Sequence, residues 1–244
     1  MAMITVILNG YKRPDYLKIQ LDAINNQTVK PESIMLWQNQ GADFNPDLTK
    51  NIIHTNSNTN FGVWARFAYA LNARTEYICI FDDDTIPSPK WFENCLNTIK
   101  THNGLLGTIG VRFLTKTGYQ PIKRFGWADN NNDDVVEVDI VGHAWFFRRE
   151  WLKYFWMEMP EKEDSELVGE DMHFSFMLQK YAGIKTYVPP HPKHQTELWG
   201  SNATLGWKMG QDGAAISMNP NNLNKMNVMY RKNINNGFVP MNFR

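Results

Sequence analysis

Cysteine is scarce in this sequence, and neither sign of charge is in excess. The 244 residues include two cysteines, Cys79 and Cys95, which are too few for a disulfide scaffold or a cysteine-rich zinc site. Lys and Arg together number 25, as do Asp and Glu, so the formal net charge is zero. This balance excludes a bulk attraction to nucleic acid, and we expect no nucleic-acid partner.

Long hydrophobic runs are also missing. No stretch approaches the roughly 20 apolar residues that a membrane-spanning helix needs, so we predict no transmembrane segment. The apolar residues 3–8 have no basic region before them and no small-residue cleavage site after them, which argues against a signal peptide. We therefore expect a soluble protein in a cytoplasm-like compartment.

Several nucleotide and hydrolase motifs are absent as well. Nothing matches the phosphate loop GxxxxGK[ST], and no GxGxxG follows the first apolar run. No GxSxG elbow is present either. These absences exclude a P-loop NTPase, a typical dinucleotide-binding domain and a serine hydrolase of the α/β type.

Strand and helix patterns alternate in the first 100 residues. The predicted strands cover residues 3–8, 33–38, 51–54 and 77–81. The predicted helices carry apolar residues at helical spacing: Leu17, Leu21 and Ile24 after Pro14; Val63, Phe67, Ala70 and Leu71; and, after a cap at Ser88, Phe92, Cys95, Leu96 and Ile99. This rhythm predicts an α/β fold whose sheet is mainly parallel and carries helices on both faces.

The second half has a different pattern. It predicts longer strands at 105–114 and 135–147, a helix that starts near Gly169 and a last strand at 184–188. The tail that follows has weak periodicity. Because no repeat or linker is visible, we expect one domain over residues 1–244.

The strongest chemical signal is the aspartate triplet Asp82, Asp83 and Asp84, directly after an apolar strand. Three adjacent carboxylates repel one another unless positive charge lies against them. In open α/β sheets, ligands bind at the carboxyl ends of the strands, which is where the triplet falls. Hard oxygen ligands there suit Mg²⁺ or Mn²⁺ that bridges a diphosphate. The alternative is a solvated turn with a helix cap, since aspartate favours both.

Two further groups could contribute. Glu170 and Asp171 follow Gly169 at a predicted helix start, where acidic residues also serve simply to stabilise the helix terminus. His191 and His194 lie just after the last strand in a proline-rich loop, and an imidazole there would complete a Mn²⁺ site.

Taken together, these segments resemble a GT-A glycosyltransferase, either family-2-like or exostosin-like. The resemblance spans nearly residues 3–200. It rests on ILNGYKRPDYLKIQLDAINNQT, LWQN, NTNFGVWARFAYALNARTEYICIFDDD with a DxD-like end, VDIVGHAWFFRREWL, GED as an "xED" motif, and the late histidine.

The resemblance implies a metal-dependent transfer of a sugar from a nucleotide-diphosphate sugar, with UDP as the expected nucleotide, to a glycan or glycoprotein acceptor. Residues 1–100 would be the nucleotide-binding half, residues 101–200 the acceptor-binding half, and 201–244 a C-terminal tail. The implied roles are nucleotide binding for Asn9, Tyr11, Arg13, Asn39, Asn60, Arg66, Asp82 and Asp83; metal binding for Asp84 and His191, with Mn²⁺ or Mg²⁺ as cofactor; catalysis for Asp171 and Glu170; and acceptor binding for His143, Trp145 and Trp199.

Several questions stay open at this point. The GED motif favours an inverting transfer with Asp171 as the base, whereas the triplet also resembles the retaining exostosin-like enzymes. The other functions that fit are a sugar nucleotidyltransferase, for which GYKRP is a poor basic loop, and a non-catalytic carbohydrate-binding module. His194 is the alternative to His191 as the metal ligand, and core packing is the alternative role for Trp145 and Trp199.

Overall fold

The computed structural model describes residues 3–41, 43–127, 129–159, 168–210 and 220–244. The strands are β1 (Ile4–Gly10), β2 (Ser33–Gln38), β3 (Ile53–Asn56), β4 (Tyr77–Phe81), β5 (Leu105–Phe113), β6 (Ile122–Phe125), β7 (Val136–Val138), β8 (Ile140–Arg148) and β9 (Thr186–Val188). The α-helices are α1 (Pro14–Asn25), α2 (Pro46–Thr49), α3 (Ala65–Tyr69), α4 (Trp91–Thr101), α5 (Leu152–Phe155), α6 (Glu170–Ala182), α7 (Ala203–Met209) and α8 (Pro220–Asn235). Short 3-10 helices cover Gly62–Trp64, Ala70–Asn72, Arg149–Trp151, Thr196–Leu198 and Met241–Phe243.

The strands form one mixed sheet in the order β3-β2-β1-β4-β8-β5-β9-β7, and β6 pairs with β5 outside that path. β1 pairs in parallel with β2 and β4, and β2 with β3, as the alternation of strands and helices predicts. In the second half β5 and β9 are parallel, whereas β4–β8, β5–β8, β5–β6 and β7–β9 are antiparallel. The α/β fold with a mixed sheet is confirmed, and parallel pairing dominates only in its first half.

Helices cover both faces of this sheet. Successive residues of a strand point to opposite faces, and Phe81 of β4 contacts Phe92 of α4 with ring centroids 6.1 Å apart. Trp145 of β8 lies opposite Ile80, on the other face, and contacts Phe67 of α3 at 5.6 Å. The sheet is therefore buried from both sides where β4 and β8 meet, which explains why β4 is continuously apolar.

Local sequence accounts for the helix starts only in part. Pro14 begins α1. Proline is favoured there because it has no backbone N–H, and in the first turn of a helix that group has no intrahelical acceptor. Ser88 does not cap α4, which begins at Trp91 after Lys90 without a side-chain cap. Leu71, expected on the buried side, is exposed, because this stretch ends in a 3-10 helix whose three-residue turn shifts the buried face.

Long-range contacts divide the strand that the sequence predicts at 135–147. The carboxylate of Asp139 is buried between β7 and β8 and accepts the backbone N–H groups of Phe113 (2.8 Å) and Met241 (2.5 Å). The hydroxyl of Tyr230 in α8 donates to the carbonyl oxygen of Thr115 at 2.5 Å. These bonds attach the last residues of the chain to β5. The weak periodicity of the tail does not predict this packing.

Other strand boundaries also differ from expectation: β1 extends to Gly10, β3 covers Ile53–Asn56, and β9 begins at Thr186. The tail predicted over 201–244 includes residues 211–219, which lie outside the described residues. Among the described helices, none is both long and apolar enough to cross a lipid bilayer.

Candidate active site

The aspartate triplet, residues 82–84, lies at the carboxyl end of β4. The side-chain amide of Gln20 in α1 holds this turn by donating to the carbonyl oxygens of Asp82 (2.7 Å) and Thr85 (2.9 Å). β1, β2 and β3 run parallel to β4 and end at the same edge. The triplet therefore lies in the crevice where open α/β sheets bind their ligands.

Two buried arginines face the triplet. Nη1 of Arg13 lies 2.6 Å from Oδ1 of Asp83 and 3.2 Å from Oδ2 of Asp84. Arg66 donates from Nη1 to Asp82. Burial nevertheless raises the pKa of Asp83 to about 7 and also raises the pKa of Asp84. The arginines thus compensate only part of the negative charge, and a cation would be favoured here.

His143 lies beside the triplet because of a bulge in β8. The pairing of β5 with β8 shifts between Gly107 and Ile109, which leaves an extra residue in β8, and His143 has a φ of 64°. Such left-handed backbone is uncommon outside glycine and is concentrated at functional sites. One ligand atom from each of Asp82, Asp84 and His143 lies within 4.8 Å of the others. Two carboxylates and one imidazole fit Mn²⁺ or Mg²⁺.

Glu170 and Asp171 form the first turn of α6 and reach the same site. Nη2 of Arg66 lies 2.6 Å from Oε1 of Glu170, so one guanidinium connects this helix with the triplet. Oδ1 of Asp171 accepts the backbone N–H of Met172 at 2.7 Å. Burial, followed by the charge of Glu170, raises the pKa of Asp171 to about 7. A carboxylate with a pKa near neutrality is well suited to accept a proton.

Three asparagines meet where β1 and β2 end. Nδ2 of Asn39 donates to Oδ1 of Asn9 at 3.2 Å, and Oδ1 of Asn39 accepts the N–H of Phe61 at 3.1 Å. Oδ1 of Asn60 accepts the N–H of Gly62 at 2.9 Å in the adjoining loop. The amides expected to contact the nucleotide are thus brought together by the fold.

The loop after β1 joins this asparagine cluster to the triplet. Asn9, Arg13 and Asp83 line one small cleft. Tyr11 is half-buried, and the ammonium group of Lys12 lies 5.0 Å from its ring centroid. Asn9, Arg13 and Asp83, three of the residues named from the sequence for nucleotide binding, therefore lie together between the ends of β1 and β4.

His191 does not join the aspartates, contrary to expectation. Its ring is fully buried, with Nδ1 2.8 Å from the carbonyl oxygen of Pro189 and Nε2 accepting the N–H of Gly200 at 3.1 Å. Burial lowers its pKa to about 4, so the ring is neutral, and both of its nitrogens already bond to the backbone. The structure places His143, rather than His191, with Asp82 and Asp84. His194, the alternative, is exposed.

The two tryptophans expected at the acceptor side are core residues. Trp145 is 1% exposed and packs on Arg66, whose guanidinium carbon lies 4.5 Å from the ring centroid. Trp199 is 9% exposed, and its Nε1 donates to the carbonyl oxygen of Pro192 at 2.9 Å. Neither ring offers a free face for a sugar, so these two assignments are corrected.

Sequence reasoning missed the approach of α7 to the triplet. A Cβ added to Gly210 would lie 3.2 Å from Oδ2 of Asp84, and one added to Gly206 would lie 3.4 Å from the carbonyl oxygen of Asp84. Glycine at these two positions allows the chain to pass close to the candidate metal ligand. The sole sequence signal is the glycine content of the tail, and it does not indicate where the tail packs.

Tyr119 was missed as well. Burial, then the negative charges of Asp171 and Glu170, raises the pKa of its phenol, whereas the charge of Arg124 lowers it. The carboxylates at the start of α6 therefore have a buried phenol in their neighbourhood.

A mixed α/β sheet that carries this set of acids at its strand ends has the architecture of a GT-A glycosyltransferase. Residues 5–156 match the family model described as "Glycosyl transferase family 2". Since this match covers more than half of the chain, the protein belongs to glycosyl transferase family 2. A search of curated proteins finds no match.

Solved structures with a similar fold include S. aureus TarS, with a TM-score of 0.56 and 15% identity over 78% of this chain and 35% of that chain. The structure of S. aureus TarS 1-349 in complex with UDP has a TM-score of 0.57 and 16% identity, over 78% of this chain and 58% of that one. A further structure of S. aureus TarS 1-349 has a TM-score of 0.52 and 14% identity, over 91% of this chain and 77% of that one. The chain thus spans about a third of the first of these proteins and under two thirds of the second.

Proposed function

We propose that this protein transfers a sugar from a UDP-sugar to a hydroxyl group of a glycan or glycoprotein acceptor, with inversion at the anomeric carbon. The observation that carries the proposal is the convergence at one sheet edge of the Asp82, Asp84 and His143 group with Asp171, whose pKa is raised to about 7. Membership of glycosyl transferase family 2 supports the reaction class.

The donor would lie along the ends of the parallel strands. In this proposal Asn9 and Asn60 contact the base, the buried Asn39 holds Asn9 in place through their hydrogen bond, and Arg13 lies beside the diphosphate. The similar fold of a TarS fragment that binds UDP supports uridine as the nucleoside. We assign residues 1–100 to donor binding, residues 101–200 to the acceptor side and residues 201–244 to a tail that reaches Asp84.

Asp82, Asp84 and His143 would hold a divalent cation, Mn²⁺ or Mg²⁺. The donor set fits such an ion because it combines hard carboxylate oxygens with one imidazole, in a site where carboxylate charge exceeds that of the arginines. When bound, the cation would stabilise the negative charge that develops on the departing diphosphate.

Asp171 would act as the general base. The acceptor oxygen attacks the anomeric carbon, the bond from that carbon to the diphosphate oxygen breaks, and the hydroxyl proton passes to the carboxylate of Asp171. UDP leaves with the bonding electron pair. Attack from the face opposite the leaving group inverts the configuration.

A thermal-shift panel tests the proposal. At UDP concentrations a hundred times above Kd, binding should add about 2.7 kcal/mol to the free energy of unfolding, and EDTA should remove the Mn²⁺-dependent part. NMR of the product made from a UDP-sugar then reads the anomeric configuration. Retention would contradict inversion, and unchanged melting with every nucleotide would favour a carbohydrate-binding module. Release of diphosphate from a nucleoside triphosphate and a sugar phosphate would favour a nucleotidyltransferase.

A further inference from the structure

Arg66 bridges the two acidic parts of the candidate site. Nη1 donates to Asp82 at the end of β4, and Nη2 lies 2.6 Å from Oε1 of Glu170 at the start of α6. We propose that Arg66 is a positioning residue, which sets the separation between the metal-binding group and Asp171 without itself contacting the nucleotide. This inference rests on the proposed function of the same site.

The burial of the side chain argues against the nucleotide contact that the family resemblance implies for Arg66. The side chain is 3% exposed, so a nucleotide has almost no access to it. Its Nε is also buried and has no hydrogen-bond partner among the described residues. The planar guanidinium suits a bridge between two carboxylates, because its two terminal nitrogens diverge in a fixed fork.

The aromatic residues around Arg66 hold this fork in place. The guanidinium carbon lies 4.5 Å from the ring centroid of Trp145 and 5.7 Å from that of Phe67. Tryptophan offers the most favourable face for such a cation. Trp145 therefore contributes to the site as a platform beneath Arg66, a role that its burial in β8 allows and acceptor contact does not.

The bridge connects residues that no local structure brings together. Asp82 is 16 positions from Arg66, and Glu170 is 104 positions from it. On one side Asp82 belongs to the group that could hold a metal, and on the other Glu170 precedes Asp171 in α6. A change at Arg66 would therefore displace the base relative to the donor.

Stability alone is a poor explanation for this arrangement. Burying an ion pair costs desolvation, and replacing a buried pair with apolar residues is often neutral or stabilising. Keeping a charged bridge here is better explained by the geometry that it imposes. Displacements of about 1 Å caused by remote substitutions can lower rates by roughly 10²-fold.

The test compares Arg66→Met, Arg66→Lys, Glu170→Gln and the double variant Arg66→Met/Glu170→Gln. Two quantities are measured well below each melting temperature: the Kd of UDP without metal, and kcat for UDP release from UDP-sugars in the presence of Mn²⁺ and an acceptor panel. We expect Arg66→Met to lower kcat about 10²-fold while Kd changes by less than about threefold. Loss of UDP affinity with an unchanged kcat would overturn the proposal in favour of a nucleotide contact.

The double variant tests the bridge directly. If Arg66 acts through Glu170, the rate loss of the double variant should be no larger than that of the more impaired single variant. Rate losses that multiply would overturn the proposal. Arg66→Lys supplies a second readout if Arg66→Met does not fold, because lysine keeps the charge but lacks the fork. The kcat of Arg66→Lys should stay at least about tenfold below the wild-type value. A wild-type kcat in this variant would show that Arg66 supplies only a positive charge.

Arg148→Met is the matched control. Nη1 of Arg148 lies 2.6 Å from Oε1 of Glu76, and its guanidinium carbon lies 5.2 Å from the ring centroid of Tyr77, so the same kinds of contact occur away from the triplet. This variant should keep the wild-type kcat. A wild-type protein that neither binds UDP nor releases it from any UDP-sugar would overturn the proposed function and this proposal with it. Wild-type turnover with independent rate losses would overturn the bridge alone.

Discussion

The backbone N–H of Asp82 donates a 3.0 Å hydrogen bond to the carbonyl oxygen of His143. This bond crosses from the end of β4 to the bulge in β8. It brings an imidazole on a left-handed residue next to two carboxylates, although residues 82 and 143 are far apart in the sequence. The candidate metal group therefore depends on the pairing of these two strands.

The first prediction concerns metal binding by this group. His143→Asn removes the imidazole while keeping a residue that tolerates left-handed backbone, and Asp84→Asn removes a carboxylate. We expect both variants to lose the Mn²⁺-dependent part of the UDP-induced rise in melting temperature. Binding of UDP without metal should be retained.

His194→Asn is the control for that experiment, because His194 is an exposed histidine of the same chain. It should keep the full response to Mn²⁺. An unchanged response in His143→Asn, or a lost response in His194→Asn, would show that the imidazole ligand has been assigned to the wrong residue.

The second prediction concerns Asp171 and pH. Asp171→Asn should lower kcat by about 10²-fold or more, because the amide cannot accept the acceptor proton, while UDP affinity changes little. The base works when deprotonated and its pKa is raised to about 7, so the wild-type kcat should rise as pH increases through about 7 and level off above it. A pH–rate profile from pH 5.5 to 9 measures this.

Asp83→Asn separates Asp171 from its neighbour in that profile. The pKa of Asp83 is also raised to about 7 by burial, so its titration could produce the same rise of kcat on the acidic side of the profile. The rise of kcat through about pH 7, which is the acidic limb of the profile, should persist in Asp83→Asn. If the limb disappears in this variant, Asp83 rather than Asp171 controls the rate.

The sequence predicts best those parts of the fold that local patterns determine. β2 and β4 occupy the expected residues, and β4 is the clearer case, because a continuous apolar run is required of a strand buried on both faces. The triplet at the end of β4 then follows from the rule that ligands bind at the carboxyl ends of parallel strands. A site at this edge could therefore be predicted without a structure.

The partners within the site could not be predicted in the same way. His143 reaches the aspartates through a bulge that depends on the register of β5 with β8, and registers of distant strands leave no local pattern. Trp145 looks like a sugar-binding ring in the sequence but is buried under Arg66. His191 lies in the expected order along the chain, yet its ring satisfies backbone groups of its own loop.

The third prediction treats His191 as a structural residue. His191→Leu leaves the N–H of Gly200 and the carbonyl oxygen of Pro189 without their partner, which should cost about 2–4 kcal/mol of the free energy of unfolding at pH 7. Urea denaturation measures this loss. His194→Leu, on the exposed part of the same loop, should leave the free energy of unfolding at pH 7 nearly unchanged.

His191 should also make the protein sensitive to acid. Its pKa is about 4 in the folded protein against 6.5 as the ordinary value, so the unfolded chain binds the proton more readily. Stability from this group is complete above about pH 6.5 and is lost as pH falls towards 4, by up to about 3 kcal/mol. His191→Leu should lack that part of the pH dependence. A stable His191→Leu protein that no longer responds to Mn²⁺ would instead restore His191 as the metal ligand.

The last prediction concerns the attachment of the C-terminus. Asp139→Ala removes the acceptor for the N–H groups of Phe113 and Met241, both of which meet this buried carboxylate. An unpaired buried donor costs about 1–3 kcal/mol, so the two together should lower the free energy of unfolding by about 2–5 kcal/mol in urea. Removing residues 238–244 should also lower the free energy of unfolding, because it deletes the bond from Met241 to Asp139 and the buried ring of Phe238.

Glu137→Ala is the matched control for Asp139→Ala, two residues away on β7. Glu137 pairs with Lys185 at 2.8 Å and with Arg244 at 2.5 Å, but both partners are at the surface. Exposed ion pairs contribute about 0–1 kcal/mol, so this variant should lose far less stability even though it removes two ion pairs. Equal losses in Asp139→Ala and Glu137→Ala would mean that charge at the surface, rather than the buried hydrogen bonds of Asp139, attaches the end of the chain to the sheet.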